Sequence, residues 1–437
     1  MMKRGMNRRL FVKKLAIGGV AGIALPTLVP GSVLAAQGRP GPNDQIGIGF
    51  VGVGRRGEQL MKLPPEGRIL AVADVYKPRA EMIAAKFQAK AFTDYRELLD
   101  MKEIQGVVVA TPDHWRALVC IEACQAKKDI YAEKPMTLTI REGRLMVQAA
   151  EKYGCVFQTG SQQRSSRVNR LGCELVLNGR IGKVHTVIAH NYPSPWRCGL
   201  PEQPVPEGLD WDRWCGASEV VPYHADIFTP RANPGWISFA PWSGGEVTGW
   251  GSHGLDQIQW ALGMDDTGPV EIWTEGPRLE PPIYTAPEPR SRGDKLCSRP
   301  KVFYRYANGI VVRLENGPAG GAIFHGEKGT ITIDRDFLKV EPEELGREPL
   351  RDTDIRLVQS NDHMKNWFDC MRSRQKPVAH AEVGHRTSTI CHLINIARLL
   401  GRRLQWDPAK EQFVADEEAN RSLDRPRRKG YELPETI

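Results

Sequence analysis

The stretch IGIGFVGVGRRG at positions 46–57 limits the folds open to this chain more than any other. An apolar run of this kind suits a strand buried on both faces, and Gly52, Gly54 and Gly57 follow it as G-x-G-x-x-G. Such a turn lets the backbone approach a pyrophosphate and lead into a helix whose N-terminus favours negative charge. The pattern alone fits any tight strand–helix turn, but its surroundings add weight. A second strand, RILAVADV, ends at Asp74, about twenty residues past the glycines, where a carboxylate can accept hydrogen bonds from an adenosine ribose. Asp74 disfavours a 2′-phosphate and so points to NAD, while Lys77 and Arg79 close by leave NADP possible.

The pattern continues as an alternation. GVVVAT, DIYAEK and CVFQTG read as further buried strands, with the amphipathic stretches HWRALVCIEACQAKK and TIREGRLMVQAAEKYG between them. Apolar strands alternating with helices predict a parallel sheet covered on both faces, here over 45–160. From 161 to 437 the pattern changes. KVHTVIAHNY, PVEIWTE, KVFYRYA, IVVRLE and GTITID read as strands, with Asn308–Gly309 as a hairpin turn between two of them. These predict an α/β domain with an open, mainly antiparallel sheet. The helical segments DHMKNWFDCMRSR and GHRTSTICHLINIARLLG follow.

The net charge of +8 suggests nucleic acid until it is located. Lys3, Arg4, Arg8, Arg9, Lys13 and Lys14 stand without an acid in residues 1–36, leaving only +2 for the rest. No phosphate-tracking surface is implied. Those 36 residues have a basic start, the apolar run LAIGGVAGIALPTLV and small residues at SVLAA, the layout of a secretory signal. Arg8–Arg9 before LFVK resembles the twin-arginine signal, whose route exports folded proteins, so a periplasmic location and the twin-arginine machinery as a partner are expected. A chance arginine pair before a membrane anchor is the other reading, although the run contains prolines and glycines and is shorter than the ~20 apolar residues a span needs. Residues 37–44 read as a linker. Nine scattered cysteines with no CxxC pair argue against a disulfide scaffold or zinc site, and no histidine spacing suggests a metal.

ATPDHW (110–115) and AEKP (132–135) both close strands of the parallel sheet, at the carboxyl edge where such sheets bind ligands. Lys134 suits the proton transfer that alcohol oxidation requires. It also reads as a surface lysine before a turn proline, with Glu133 as an ordinary ion-pair partner. GFVGVGRRG, AVADVYKPRAE, VVVATPDHW, YAEKPM, GWGSHGLDQIQWALG, FHGEKGTITI and CHLINIARLLGRRLQWDP together resemble the Gfo/Idh/MocA oxidoreductases, named for glucose–fructose oxidoreductase and inositol dehydrogenase. The resemblance implies a Rossmann domain followed by an α/β domain, and Lys134 beside nicotinamide and substrate. It also implies that Arg55, Arg56, Asp74, Thr111, Pro112, His114, Glu133 and Lys134 contact the cofactor.

Many relatives carry Asp-x-x-x-His on the helix facing the nicotinamide, with the histidine as acid/base. Here His253 holds the histidine position and Gly249 the aspartate position, with Asp256 three residues further on as a partial substitute. His253 is thus either catalytic or a structural residue at a helix start. Six of the eleven tryptophans (196, 211, 214, 236, 242 and 250) fall within the irregular stretch 193–250. They read equally as a sugar-binding pocket, a loop that braces itself or a subunit contact. Trp115, Tyr192, Arg197, Trp250 and Asp256 are candidate substrate contacts, and His190 adjoins them. The expected function is an exported NAD(P)-dependent oxidoreductase acting on a hydroxyl of a sugar, polyol or glycoside, with a tightly held cofactor. A redox-assisted glycosidase or sugar lyase, and a non-catalytic sugar- or nucleotide-binding relative, are the alternatives. No nucleic-acid partner is expected, and a homo-oligomer is.

Overall fold

The computed structural model describes residues 45–228, 235–285 and 300–437. The leader and linker expected over 1–44 lie outside them. Among the described residues the chain builds two main sheets. The first joins β1 (Ile46–Val51), β2 (Gly67–Ala73), β3 (Lys90–Phe92), β4 (Gly106–Val109), β5 (Asp129–Ala132) and β6 (Phe157–Thr159) in the order β3-β2-β1-β4-β5-β6. Every pairing in it is parallel. The order reverses between β1 and β4, opening a crevice at the carboxyl edge beside the glycine turn. All of β1, β4 and β5 is buried, which explains their unbroken apolar runs.

Helices cover both faces of this sheet. Helix α1 (Arg55–Leu60) follows the glycine turn, and α2 (Lys77–Phe87) packs on one face. Helices α3 (Asp113–Gln125) and α4 (Ile140–Tyr153) pack on the other. Helix α4 begins with a capping box, in which Thr139 and Glu142 each accept a backbone N–H at the helix start.

The second sheet contains β7 (Val184–His190), β8 (Glu271–Glu275), β9 (Lys301–Arg305), β10 (Val311–Glu315), β11 (Ala322–Gly326), β12 (Thr330–Asp334), β13 (Phe337–Glu341), β14 (Leu404–Asp407) and β15 (Gln412–Phe413). Their order is β13-β12-β11-β7-β10-β9-β8-β14-β15. Only β7 and β10 pair in parallel, and Gly309, at φ 89°, turns the hairpin between β9 and β10. Helices α5 (Arg167–Leu177), α6 (Gly251–Leu262) and α8 (Ala381–Leu400) cover one face with a shared core. On the other face Trp273 and Phe303 stack at 5.5 Å, with Arg403 and Arg313 over their rings.

Helix α7 (His363–Ser373), which sequence order groups with the second sheet, supplies Trp367, Phe368 and Met371 to the core of the first. Gly106 in β4 leaves it room, since a Cβ there would sit 2.8 Å from Met371 and 2.9 Å from Trp367. Residue 160 therefore divides the sheets but not the cores.

Candidate active site

A cavity of about 920 Å³ follows the carboxyl edge of the first sheet, from Asp74 past the glycine turn to Lys134, and continues to the side chains before α6. The glycine turn forms its floor. Gly52 has φ +80°, and a Cβ on it would lie 2.9 Å from the Thr111 nitrogen. A Cβ on Gly57 would lie 2.3 Å from the Gly52 oxygen, so only glycine lets α1 sit this close to the strand end. Gly54 lines the cavity, as do Arg55 and Arg56.

Asp74 is fixed at one end. Its Oδ2 accepts the Val53 N–H at 3.0 Å and its Oδ1 the Tyr76 N–H at 2.9 Å. Arg79 reaches Oδ2 at 3.3 Å while lying over the rings of Tyr76 and Phe228. Thr111 and Pro112 also line the cavity, and Thr111 Oγ1 is buried with no hydrogen-bond partner among the described residues. A buried hydroxyl on a cavity wall, a glycine floor and an oriented carboxylate together fit a dinucleotide.

At the other end Glu133 accepts from Arg56 at 2.7 Å and from Gln162 Nε2 at 3.0 Å. Its second oxygen accepts the Lys134 backbone N–H at 3.2 Å. The Lys134 Nζ donates to the Gly249 carbonyl at 2.9 Å, which fixes the amine on the side of the cleft opposite its own strand. His253 lines the same end, beneath the edge of the Trp250 ring at 5.5 Å. Arg335 lies over that indole at 4.6 Å.

A buried clamp holds together the two loops that follow β4 and β5. Arg116 pairs with Asp113 at 3.1 Å and donates to the carbonyls of Thr111 and Pro135, which follow β4 and β5. Asp113 also accepts from Ser243 Oγ at 3.0 Å. Burial pushes the Asp113 carboxyl up from its ordinary value, against the opposing pull of Arg116.

Gly249 is crowded by the ends of two side chains, one of which would have to move to admit a Cβ. A Cβ there would meet Glu246 Oε2 at 2.7 Å and Ile237 at 2.9 Å. A carboxylate therefore does stand beside position 249, supplied from one turn earlier, where Glu246 Oε2 accepts the Trp250 N–H at 3.1 Å.

Several expected contacts lie elsewhere. Asp256 faces away from the cleft. It pairs with Arg164 at 2.9 Å and accepts from Thr387 at 3.1 Å, in a fully buried network outside the cavity lining. His114 does not line the cavity. Its Nε2 donates to the Trp214 carbonyl at 2.8 Å, and burial holds its pKa down to about 3, so it anchors the loop as a neutral ring. Tyr192 is buried under α6, with its hydroxyl on the Ala319 carbonyl at 2.6 Å, and its ring meets His190 at 4.9 Å. Arg197 sits in a two-residue pairing with Ile283–Tyr284, outside the lining.

Trp115 does line the cavity, but its ring packs with Tyr95 at 6.0 Å and Tyr431 at 5.4 Å. Trp196, Trp211, Trp214 and Trp242 are buried against one another with Phe239 and Tyr284, so this segment mostly braces itself. Trp214, Trp236 and Trp250 still contribute to the wall. Sequence reasoning missed Gln162, Gln163 and Arg335, which reach the cleft from the second sheet and the turn before α5. It also missed the tail residues Lys429 and Tyr431. Among the described residues no cluster of three or more His, Cys, Asp or Glu is arranged to hold a metal, and no helix is long and apolar enough to cross a membrane.

Fold and cleft together define a two-domain dinucleotide-binding protein. Residues 46–161 match the family model described as "Oxidoreductase family, NAD-binding Rossmann fold", and residues 176–433 match "Oxidoreductase family, C-terminal alpha/beta domain". The chain belongs to the Gfo/Idh/MocA oxidoreductase family, and its first sheet is an NAD-binding Rossmann domain. It is 29% identical over 153 residues to myo-inositol 2-dehydrogenase of Thermotoga maritima, covering 34% of this chain and 46% of that protein. The chain thus spans about half the length of the curated relatives it matches. Among solved structures it resembles the WlbA dehydrogenase from Bordetella pertussis in complex with NADH and UDP-GlcNAcA, with TM-score 0.58, 17% identity, and 83% and 99% of the two chains covered. It also resembles the aldose-aldose oxidoreductase from Caulobacter crescentus complexed with glycerol, with TM-score 0.56, 16% identity, and 83% and 99% covered. At such identities these two likenesses concern the fold.

Proposed function

We propose that this protein oxidises a hydroxyl of a sugar, polyol or glycoside with an NAD that it keeps bound, and that it works in the periplasm after export by the twin-arginine route. One observation carries the chemistry. The Lys134 amine is fixed by the Gly249 carbonyl inside the same cavity that holds the glycine floor and Asp74. When bound, NAD supplies a two-electron acceptor. Asp74 would hold the ribose hydroxyls, Gly52 and Gly54 the pyrophosphate, and Glu133 with Lys134 the nicotinamide end.

Lys134 takes the hydroxyl proton as the carbon–oxygen double bond forms, and His253 lines the same end of the cleft. The leader and the paired arginines at 8 and 9 support export. Retention of the cofactor fits a compartment without a comparable pool of free NAD. The second-sheet face that carries the partly exposed Trp273, stacked on the buried Phe303, supports a homo-oligomer. The test is hydride transfer from a panel of aldoses, uronic acids and polyols to the NAD-loaded protein. Lys134→Ala should still bind NAD, more weakly by the one contact it loses at the nicotinamide end, and lose turnover at saturating NAD by roughly two orders of magnitude or more. Undiminished turnover would remove Lys134 from the chemistry.

A second reading rests on His253. A ketone formed beside a ring C–H makes that proton removable, and His253, which lines the same end of the cleft, would take it, supporting elimination or glycoside cleavage with the electrons then returned. Turnover in deuterated water distinguishes the two readings. Elimination exchanges the ring proton next to the oxidised carbon, and simple oxidation leaves it in place.

A further inference from the structure

The cavity has one wall that neither the glycine turn nor the strand ends supply. Beyond Asp74, whose backbone N–H bonds to the Phe92 carbonyl, the cleft passes Thr93, Tyr95 and Trp115 and meets Lys429, Gly430 and Tyr431 of the C-terminal tail. Tyr431 stands edge-on to Trp115 at 5.4 Å and 86°. The tail has crossed from the second sheet to arrive here. Arg425 donates to the carbonyls of Ala240 and Pro241, and Arg427 pairs with Glu142 at the cap of α4, at 3.0 Å. Arg428 grips Asp212 at 2.7 Å and the Gly216 carbonyl at 2.7 Å, and its backbone N–H bonds to the Ala217 carbonyl. Leu433 and Ile437 then pack on the core beneath α3 and α4.

The tail is thus fastened on both sides of the three residues that face the cleft. What they face is the end past the ribose carboxylate, lined by aromatic rings with the cations Arg96 and Lys429 close by. Flat aromatic faces with neighbouring cations suit a purine base. We propose that residues 429–431 are part of the dinucleotide site: Tyr431 closes over the adenine end, and the cofactor leaves only when this fastened segment lifts. The proposal rests on the cleft holding NAD and gives retention a structural cause.

Hydrogen exchange on the full-length protein with and without NAD tests it. Protection of both the glycine turn and residues 429–433 is expected. Protection of the glycine turn with no change in the tail would overturn the proposal and leave cofactor binding intact. No protection at either place would remove both. A second measurement follows NADH dissociation by fluorescence in Tyr431→Ala and Tyr431→Phe, each compared with the parent for melting temperature. The alanine variant should release NADH roughly tenfold faster and the phenylalanine variant near the parent rate. An unchanged rate in folded Tyr431→Ala would overturn the proposal.

Discussion

Replacing Arg116 with methionine keeps much of the side chain's volume and removes its charge. In the folded protein both partners of the Arg116–Asp113 pair are inaccessible, at 2% and 0% side-chain exposure. The change would leave a buried carboxylate without its cation, and strip the Thr111 and Pro135 carbonyls of a donor. Breaking a buried pair from one side costs about 3–5 kcal/mol. That should lower the melting temperature on the order of 10 °C for domains of this size. Part of the cost is the orphaned charge, so adding Asp113→Asn, which keeps a partner for Ser243, should recover about 1–3 kcal/mol. The assay is urea unfolding of the parent, both single variants and the double variant. A loss below about 1 kcal/mol in Arg116→Met, or strictly additive losses in the cycle, would refute the idea that this clamp holds the two loops in register.

Asp74→Ala should weaken NAD binding roughly 10- to 100-fold, as expected for a lost charged hydrogen bond, in a fluorescence titration. Gly249→Asp should depress activity at least about tenfold, because its Cβ would fall 2.7 Å from the Glu246 carboxylate. Combining it with Glu246→Ala, which empties that space, should restore much of the loss, and failure to do so would show that crowding is not the cause. Stability should fall with acid, because burial holds His114 down to about 3, and His363 and His392 down to about 4. With folded values below the unfolded one, the unfolded chain gains protons first as pH drops below about 6.5, so the loss develops from there down to about 4 for His363 and His392 and about 3 for His114. Each histidine contributes on the order of 1 kcal/mol per pH unit, and His363→Gln should flatten the profile of the unfolding midpoint.

The parallel sheet was legible because its strands are buried on both faces and their apolar runs are unbroken, as in Ile46–Val51 and Gly106–Val109. Strand β3 was not, since three mostly exposed residues, Lys90–Phe92, carry no periodicity. Strands β11 and β13 were missed although they are as long as β9, β10 and β12: the apolar part of β11 is only Ala322–Phe324 before His325 and Gly326, and β13 lies at the sheet edge with no fully buried residue. The residues nearest the cofactor motifs, such as Asp74, Glu133 and Lys134, could be placed because strand ends fix them at the crevice. Asp256 was misjudged because helical spacing from His253 does not reveal a buried Arg164 on the far side. Tyr431 and Lys429 reach the cleft from more than 300 residues along the chain from Trp115, a distance that no local pattern reports.

The most direct test of the central claim is a crystal structure of the protein with NAD. The account predicts the pyrophosphate over Gly52 and Gly54, the adenosine ribose on Asp74, and the nicotinamide against the Lys134 amine. A dinucleotide bound elsewhere, or a Lys134 side chain turned out of an occupied cleft, would contradict it.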